Sequence, residues 1–581
     1  MVKKIVIGIG IVILIAFSTT AYYFFNNAEK IANDIVRNEF IKKYNESNSS
    51  QYDISVGDIK LNIFTGSFKI KDLVIVPKDS LITLDKRLDG SAVSNTTFHI
   101  TISEIALSGF DLIDAINNRF VNARKFEIQS PIINIYQYAK SPNTSIEPQD
   151  TLDLRTIFLI NYDSFNLDEL FLHDISANVF KIDVNQDTSN VFSINNLNHQ
   201  VFGVRADKNT LFSDQYIEIE SYNLNSKNIE VDLNNKSKIQ LSSLRFNSVD
   251  EDLIIKDFSF LPTSTPADFL SRLKYKKGWV SFSSKEITIS KIDVVKWFHE
   301  QEFHAQQLTV IQPNIKVFNK EVIPFDPNEH KPMLGDMILN LPIPINMEEA
   351  IIKDAEINID IDGKQSEKHG KLDFQKMDIT AENITNISSC ISENSKMIAR
   401  VNTQINNTGK VSATLIVDLG STANLTQFNV QASKISFANF NSVLKPILRI
   451  SLTNGEMVSL KINSTLSSNG AFGTMDAHYE GLKIQLEGKD IDKKPGFFNN
   501  MASGLANGIL KSENVPGDQF FHQGKFRFKR TQHDNFFKML WLVTMHGLED
   551  SILGSNVKDE KKQRKKEKQN QPKKKLFNFK K

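Results

Sequence analysis

Of the 581 residues only one is cysteine, Cys390. That excludes a disulfide within the chain, a cysteine-based zinc site and an iron–sulfur cluster. Tryptophan is scarce at 3, and Gly and Pro are modest at 25 and 16, which rules out collagen-like and low-complexity classes. Catalytic signatures are as thin. There is no G-x-S-x-G, no P-loop and no G-x-G-x-x-G after a strand pattern. His299-Glu300-Gln301-Glu302-Phe303-His304 approaches a zinc-protease helix, but its histidines are five apart, where one helical face needs four. Asn358-x-Asp360-x-Asp362-Gly363 opens like a calcium loop, yet the twelfth position is His369 instead of Glu. Those polar residues alternate with Ile357, Ile359 and Ile361, so they read as the wet face of a strand. Cys390 lies in a Ser-rich segment without a neighbouring base. The expectation is no catalytic residue, metal ligand or cofactor site, hence no enzyme. Sequons at Asn48, Asn95, Asn143, Asn383 and Asn424 read as surface loops.

What is present suits a packed interior: apolar residues make up 40%, charged residues 24%, and Phe alone numbers 41. Ile5 to Phe25 carries no charge and follows Lys3 and Lys4. About 20 apolar residues span a bilayer as a helix. Tyr22, Tyr23, Phe24 and Phe25 then suit an interfacial belt, so residues 5–25 read as an uncleaved anchor with the N-terminus inside. Ala28 to Tyr44 continues with helical spacing as a stalk. The net charge of +1 hides a split. Lys558 to Lys581 holds 12 Lys+Arg against 3 Asp+Glu, a tail of +9, which leaves −8 elsewhere. That tail reads as disordered, either a solubilising end or a contact for an anionic surface such as lipid headgroups. No nucleic-acid partner is expected.

The body repeats. Ile100 to Tyr136 returns, blurred, at Ile287 to Phe318, with Ile-Thr-Ile-Ser opening both. Pro131 and Pro313 recur, and so do the closing aromatics Tyr136 and Phe318. Lys71-Asp72-Leu73 returns as Lys256-Asp257-Phe258, and Asn166 to Asp174 as Asn346 to Asp354. Offsets of 185, 187, 182 and 180 describe a tandem duplication with small loop changes. From Tyr52 to about Phe528 apolar residues alternate with polar ones, the pattern of strands with one dry and one wet face. Short helical breaks fall at 110–120 and 294–303, and Gly470 to Leu482 reads as a glycine-punctuated hairpin. The expected fold is mainly β: an N-terminal transmembrane helix, then a long curled antiparallel sheet of tandem repeats, a C-terminal helix and a basic tail. Its divisions are 1–45 anchor and stalk, 46–240 first repeat, 241–400 second repeat, 401–530 C-terminal β region, 531–555 amphipathic helix and 556–581 tail.

This order resembles a known superfamily. A short anchor precedes Pro131-Ile132-Ile133-Asn134-Ile135-Tyr136. The C-terminal part runs Gly470–Leu482, Met501–Pro516, Gly524–Phe528 and a helix over 536–553. Together they resemble the AsmA-like proteins, the superfamily of TamB and YhdP, in the form of Bacteroidetes members. The likeness covers most of residues 1–555 and rests on pattern, without an invariant motif. It implies a single-pass bacterial inner-membrane protein with its N-terminus in the cytoplasm and its body in the periplasm. It further implies an apolar β-groove that carries phospholipid between membranes in outer-membrane biogenesis, with unidentified envelope protein partners.

On that reading the dry face lines the groove: Ile100, Ile102, Ile105, Leu107, Phe126, Ile128, Ile133 and Ile135 in the first copy. Ile287, Ile289, Ile292, Leu308, Val310, Ile315 and Val317 are the counterparts in the second. Replacing Ile102 and Ile289 with Asp should then abolish lipid carriage. The alternative is a set of closed sandwiches acting as a non-enzymatic scaffold for outer-membrane proteins, with the same residues as plain core. The residues alone leave these two open, and leave open whether the C-terminal helix docks on the β body or on a membrane.

Overall fold

The computed structural model describes residues 41–46, 52–62, 65–78, 96–111, 114, 118–138, 163–183, 187–207, 218–233, 236–362, 369–448, 450–486 and 510–553. The expected anchor, most of the stalk, the sequons at Asn48, Asn95 and Asn143, and the basic tail lie outside the described residues. Among the described residues no helix is long and apolar enough to cross a membrane. The chain divides into two compact units, Met1–Thr263 and Ser264–Lys581. The boundary expected at 240/241 cuts through a strand, and the unit ends one hairpin later. The boundary at 400/401 also falls inside a strand, because pairing there runs on without a break.

The first unit contributes β1 (Tyr52–Ser55), β2 (Ile59–Asn62), β3 (Ser67–Pro77), β4 (Thr96–Ser108), β5 (Phe120–Gln129), β6 (Ile132–Tyr138), β7 (Ser164–Ile182), β8 (Thr188–Asp207), β9 (Ser221–Leu233), β10 (Ser237–Asn247) and β11 (Asp252–Pro262). β1 and β2 pair with β3, β3 with β4, and β7 to β11 form an antiparallel meander. β5 and β6 are one line broken at Ser130-Pro131. Both halves pair antiparallel with β4 and parallel with β7. The sheet is therefore mixed, not purely antiparallel as the alternation implied. Alternation reports faces but not strand direction. The 25 residues from 139 to 163 are long enough for the crossover that a parallel pair needs.

The second unit repeats the device. Its strands are β12 (Trp279–Ser290), β13 (Phe303–Ile311), β14 (Asn314–Lys320), β15 (Ile345–Asp362), β16 (Gly370–Thr385), β17 (Lys396–Ile405), β18 (Thr408–Asp418), β19 (Thr426–Ser436), β20 (Ile450–Ser467), β21 (Gly470–Leu486) and β22 (Gly524–Lys529). β13 and β14 pair antiparallel with β12 and parallel with β15, and an antiparallel meander runs on to β22.

Backbone conformation gives the repeat its true register. Left-handed residues, which cost a non-glycine about 1–2 kcal/mol, recur in pairs. Gly109 matches Lys291, Arg119 matches Gln301 and Ser130 matches Gln312, all 182 apart. Asp174 matches Asp354, and Asn196 matches Lys376, 180 apart. Hydrogen bonds follow the same spacing. The Asp111 amide donates to the Asn122 carbonyl at 2.9 Å, and Asp293 to His304 at 2.9 Å. The Asp111 carboxylate accepts from the Asp114 amide at 2.9 Å, as Asp293 does from Lys296 at 2.9 Å, capping the short helix Val294–His299. The bulge amides of Asp174 and Asp354 donate to Asn198 and Asp378, each at 3.0 Å.

The Ile-Thr-Ile-Ser match, 187 apart, is therefore five residues out of register. Ile287, Ile289 and Ile292 correspond to Ile105, Leu107 and Phe110. The partners of Ile100 and Ile102 are Phe282 and Ser284. Alternating Ile and Thr carry little positional information, whereas a bulge or a kinked Pro fixes one residue. A second expectation also changes. Gly470 to Leu482 is not a hairpin but part of the single strand β21, whose turn from β20 lies at Ser468-Asn469. Its glycines answer close packing: a Cβ on Gly473 would lie 2.3 Å from the Asn463 carbonyl oxygen.

Candidate functional site

Paired strands set side chains on a common face, so the ladder can be followed residue by residue. One row of the first unit reads Ile54, Ile75, Ile100, Ile133, Ala177, Ile194, Val231, Ile239 and Phe260. The next reads Ile59, Ile70, Ile105, Ile128, Leu172, His199, Leu224, Phe246 and Leu253. A third runs Phe68, Leu107, Phe126, Leu170, Val201 and Tyr222. In the second unit Ile287, Val310, Ile352, Ile379, Val401, Ala413, Val430, Ile462 and Met475 cross nine strands without a polar side chain. Phe282, Ile315, Ile357 and Phe374 line up beside them. No Asp, Glu, Lys or Arg interrupts these rows.

The opposite face holds the charge. Lys69 meets Glu104 at 3.0 Å, Lys125 meets Glu127 at 2.8 Å, and Arg400 meets Glu382 at 2.6 Å. Asn166 donates to Asn122 at 2.8 Å and Asn178 to Asn134 at 2.9 Å, a ladder beside the parallel strands. Such exposed pairs contribute at most about 1 kcal/mol each. They mark the wet face more than they stabilise it.

Burial of the apolar face is graded. In the first copy Ile100, Ile102, Ile105, Leu107, Phe126, Ile128 and Ile133 are 0–6% exposed and belong to one core, with Ile135 half-buried against it. The described residues that cover them are mostly other members of the same face, with Ile41 at the edge. From β7 to β11 the face is mostly half-buried, with a small core at Ile229, Val231 and Leu241. In the second copy Ile292 and Val310 are buried, whereas Ile287, Ile289, Leu308, Ile315 and Val317 are half-buried. Val280, which the sequence reading passed over together with Phe282, is 40% exposed. Their alternation, Val280-x-Phe282, was the available signal.

From β18 onward the face closes: the short helix Leu334–Leu339 packs on β18, and the helix Phe536–Leu553 buries Phe536, Met539, Val543 and Ile552 against β20 to β22. The C-terminal helix thus docks on the β body. The fit is tight: a Cβ on Gly547 would lie 2.5 Å from the Met475 methyl, and one on Gly524 2.5 Å from the Gly547 carbonyl.

The other singled-out residues stay apart. His299 ends a short helix, while His304 lies in β13 and pairs with Glu302 at 2.8 Å. Asn358 donates to Asp373 at 3.1 Å, and Asp362 meets Lys320 at 3.7 Å. Among the described residues no cluster of His, Cys, Asp or Glu is placed to hold a metal ion. Cys390 is half-buried in the helix Ser388–Glu393.

The sequence matches no family model and no curated protein. The apolar face therefore stands as the candidate site on its geometry alone. Its chemistry is non-directional: it can shelter hydrocarbon, and among the described residues its traced rows include the polar pair His199 and Tyr222.

Proposed function

We propose that the protein carries acyl-chain lipid along the apolar face of its sheet. The observation behind this reading is the charge-free rows, most of whose members are only half-buried over β7–β11 and β12–β17. An ordinary core of that width would be covered. Leaving water-exposed hydrocarbon costs about 0.8 kcal/mol per CH₂, and a lipid leaving a bilayer faces the same cost. A face of this kind removes both with no precisely placed polar group. In this reading residues 5–25 anchor the chain in a bacterial inner membrane, the body stands in the periplasm and phospholipid is the cargo. The work is transfer for envelope biogenesis, without catalysis. The resemblance to AsmA-like proteins supports the same setting.

A second reading, a non-enzymatic scaffold for outer-membrane proteins, draws on the closed cores at β2–β6 and β18–β22. The test is site-specific photocrosslinking in cells with benzoylphenylalanine at Ile289, Ile315 or Val317, and at wet-face Lys316 as control. Phospholipid adducts at the three apolar positions and none at Lys316 are expected. Protein adducts alone would put the scaffold ahead.

A further inference from the structure

His199 and Tyr222 form the polar interruption in the apolar rows of the first unit. Their ring centroids are 5.7 Å apart, and His199 Nδ1 is hydrogen-bonded to the Tyr222 hydroxyl. The second repeat has no such pair. With the 180-residue offset fixed by Asp174 and Asp354, the place of His199 is Ile379, whose partners Ile352 and Val401 match Leu172 and Leu224. The place of Tyr222 is Ala399, opposite Ala381 as Tyr222 is opposite Val201. An apolar pair thus fits this position of the fold, so the backbone does not require the polar one.

The pair also sits where the closed core ends. Val201, Val204 and Ala206 are its last buried members, Tyr222 packs against them, and Leu172, His199 and Leu224 are half-buried. In the tautomer where the tyrosine hydroxyl donates, Nδ1 accepts and the ring proton sits on Nε2. Among the described residues Nε2 has no partner. Nε2 is not sealed among the buried unpartnered atoms, so an incoming acceptor oxygen can reach it.

We propose that His199 Nε2–H, held by Tyr222, is the hydrogen-bond donor that receives the carbonyl or carboxylate oxygen of an acyl-chain ligand. The chain itself would lie along the half-buried rows of β7 to β11. The proposal rests on the lipid-carrying reading and adds a fixed polar end to it. A hydrocarbon without oxygen gains nothing from the donor, so the pair should select by head and not by tail.

The test uses the full-length chain in polymer-excised membrane discs and three 16-carbon diazirine probes: a free acid, its methyl ester and the oxygen-free hydrocarbon. Labelling of peptides from residues 188–233 is read by mass spectrometry. Wild type should take up acid and ester several-fold more than hydrocarbon. His199→Leu, which copies the second repeat, should bring both to the hydrocarbon level and leave the hydrocarbon unchanged. Tyr222→Phe keeps the ring but frees the tautomer and should lower acid and ester in part. A free acid lost while the ester persists would mean that only a carboxylate source is accepted. Equal labelling by all three probes in wild type, or equal loss of all three in His199→Leu, overturns the proposal. Absence of label from every probe in wild type would instead sink the lipid-carrying reading itself.

Discussion

At the residue scale, burial separates positions that the sequence treats alike. Ile102 is 5% exposed in a packed core, whereas Ile289 is half-buried. A carboxylate at Ile102 would be desolvated without a partner, so Ile102→Asp should be a folding lesion of about 4 kcal/mol or more. Ile289→Asp should cost about 1–2 kcal/mol and test the face itself. Calorimetric unfolding midpoints of the two variants check the contrast. His199 gives a pH prediction. Burial lowers its pKa from 6.5, so the fold prefers the neutral ring, and burial pushes Tyr222 up to about 12. The unfolded chain then binds more protons below 6.5. The stabilising contribution is full above that pH and is lost as pH falls through the folded value. Wild type should therefore lose more of its unfolding midpoint on acidification to about pH 5 than His199→Leu does. Equal losses would mean that the ring is solvated in the fold.

At the element scale, two devices position the face: the bulges and the terminal helix. Asn198→Ala and Asp378→Ala each remove the acceptor for a bulge amide, in equivalent places of the two repeats. Each should destabilise its own unit by about 1 kcal/mol, and a scan that resolves the two units would show whether the effects are matched. The helix Phe536–Leu553 is held through close approach at Gly547 and Gly524. Gly547→Leu should overpack against Met475 by about 1–3 kcal/mol and lift the helix from β20 to β22. More binding of an apolar dye than wild type is the expected readout. Unchanged dye binding would mean that the sheet absorbs the bulk.

At the scale of the whole molecule, each unit has a principal core of its own. One is built around Ile105 and Val121, the other around Val417, Met475 and Met539. Calorimetry should resolve two transitions, with Ile105→Ala lowering only the first and Met539→Ala only the second, each by about 2–5 kcal/mol. A single transition shifted by both variants would show that the units unfold together.

Strand class, the duplication and the identity of the dry face were all legible in the sequence. Period-two alternation and repeated Pro, Asp and aromatic residues report local geometry, and local geometry is what a chain encodes most directly. Register was not legible. Ile-Thr-Ile-Ser pointed five residues away, because β-branched alternation fits any strand, while the left-handed backbone at Ser130 and Gln312 has no residue signature. Nor could alternation give the parallel pairing of β5 and β6 with β7, or tell the packed Ile102 from the half-buried Ile289. Those depend on which strands come to lie over which, and on where a helix 18 residues long closes the sheet. The sequence by itself determined which side chains share the apolar face. Only the tertiary structure decided where that face is sealed and where it stays half-buried, because burial is set by what packs above a residue and not by its own period.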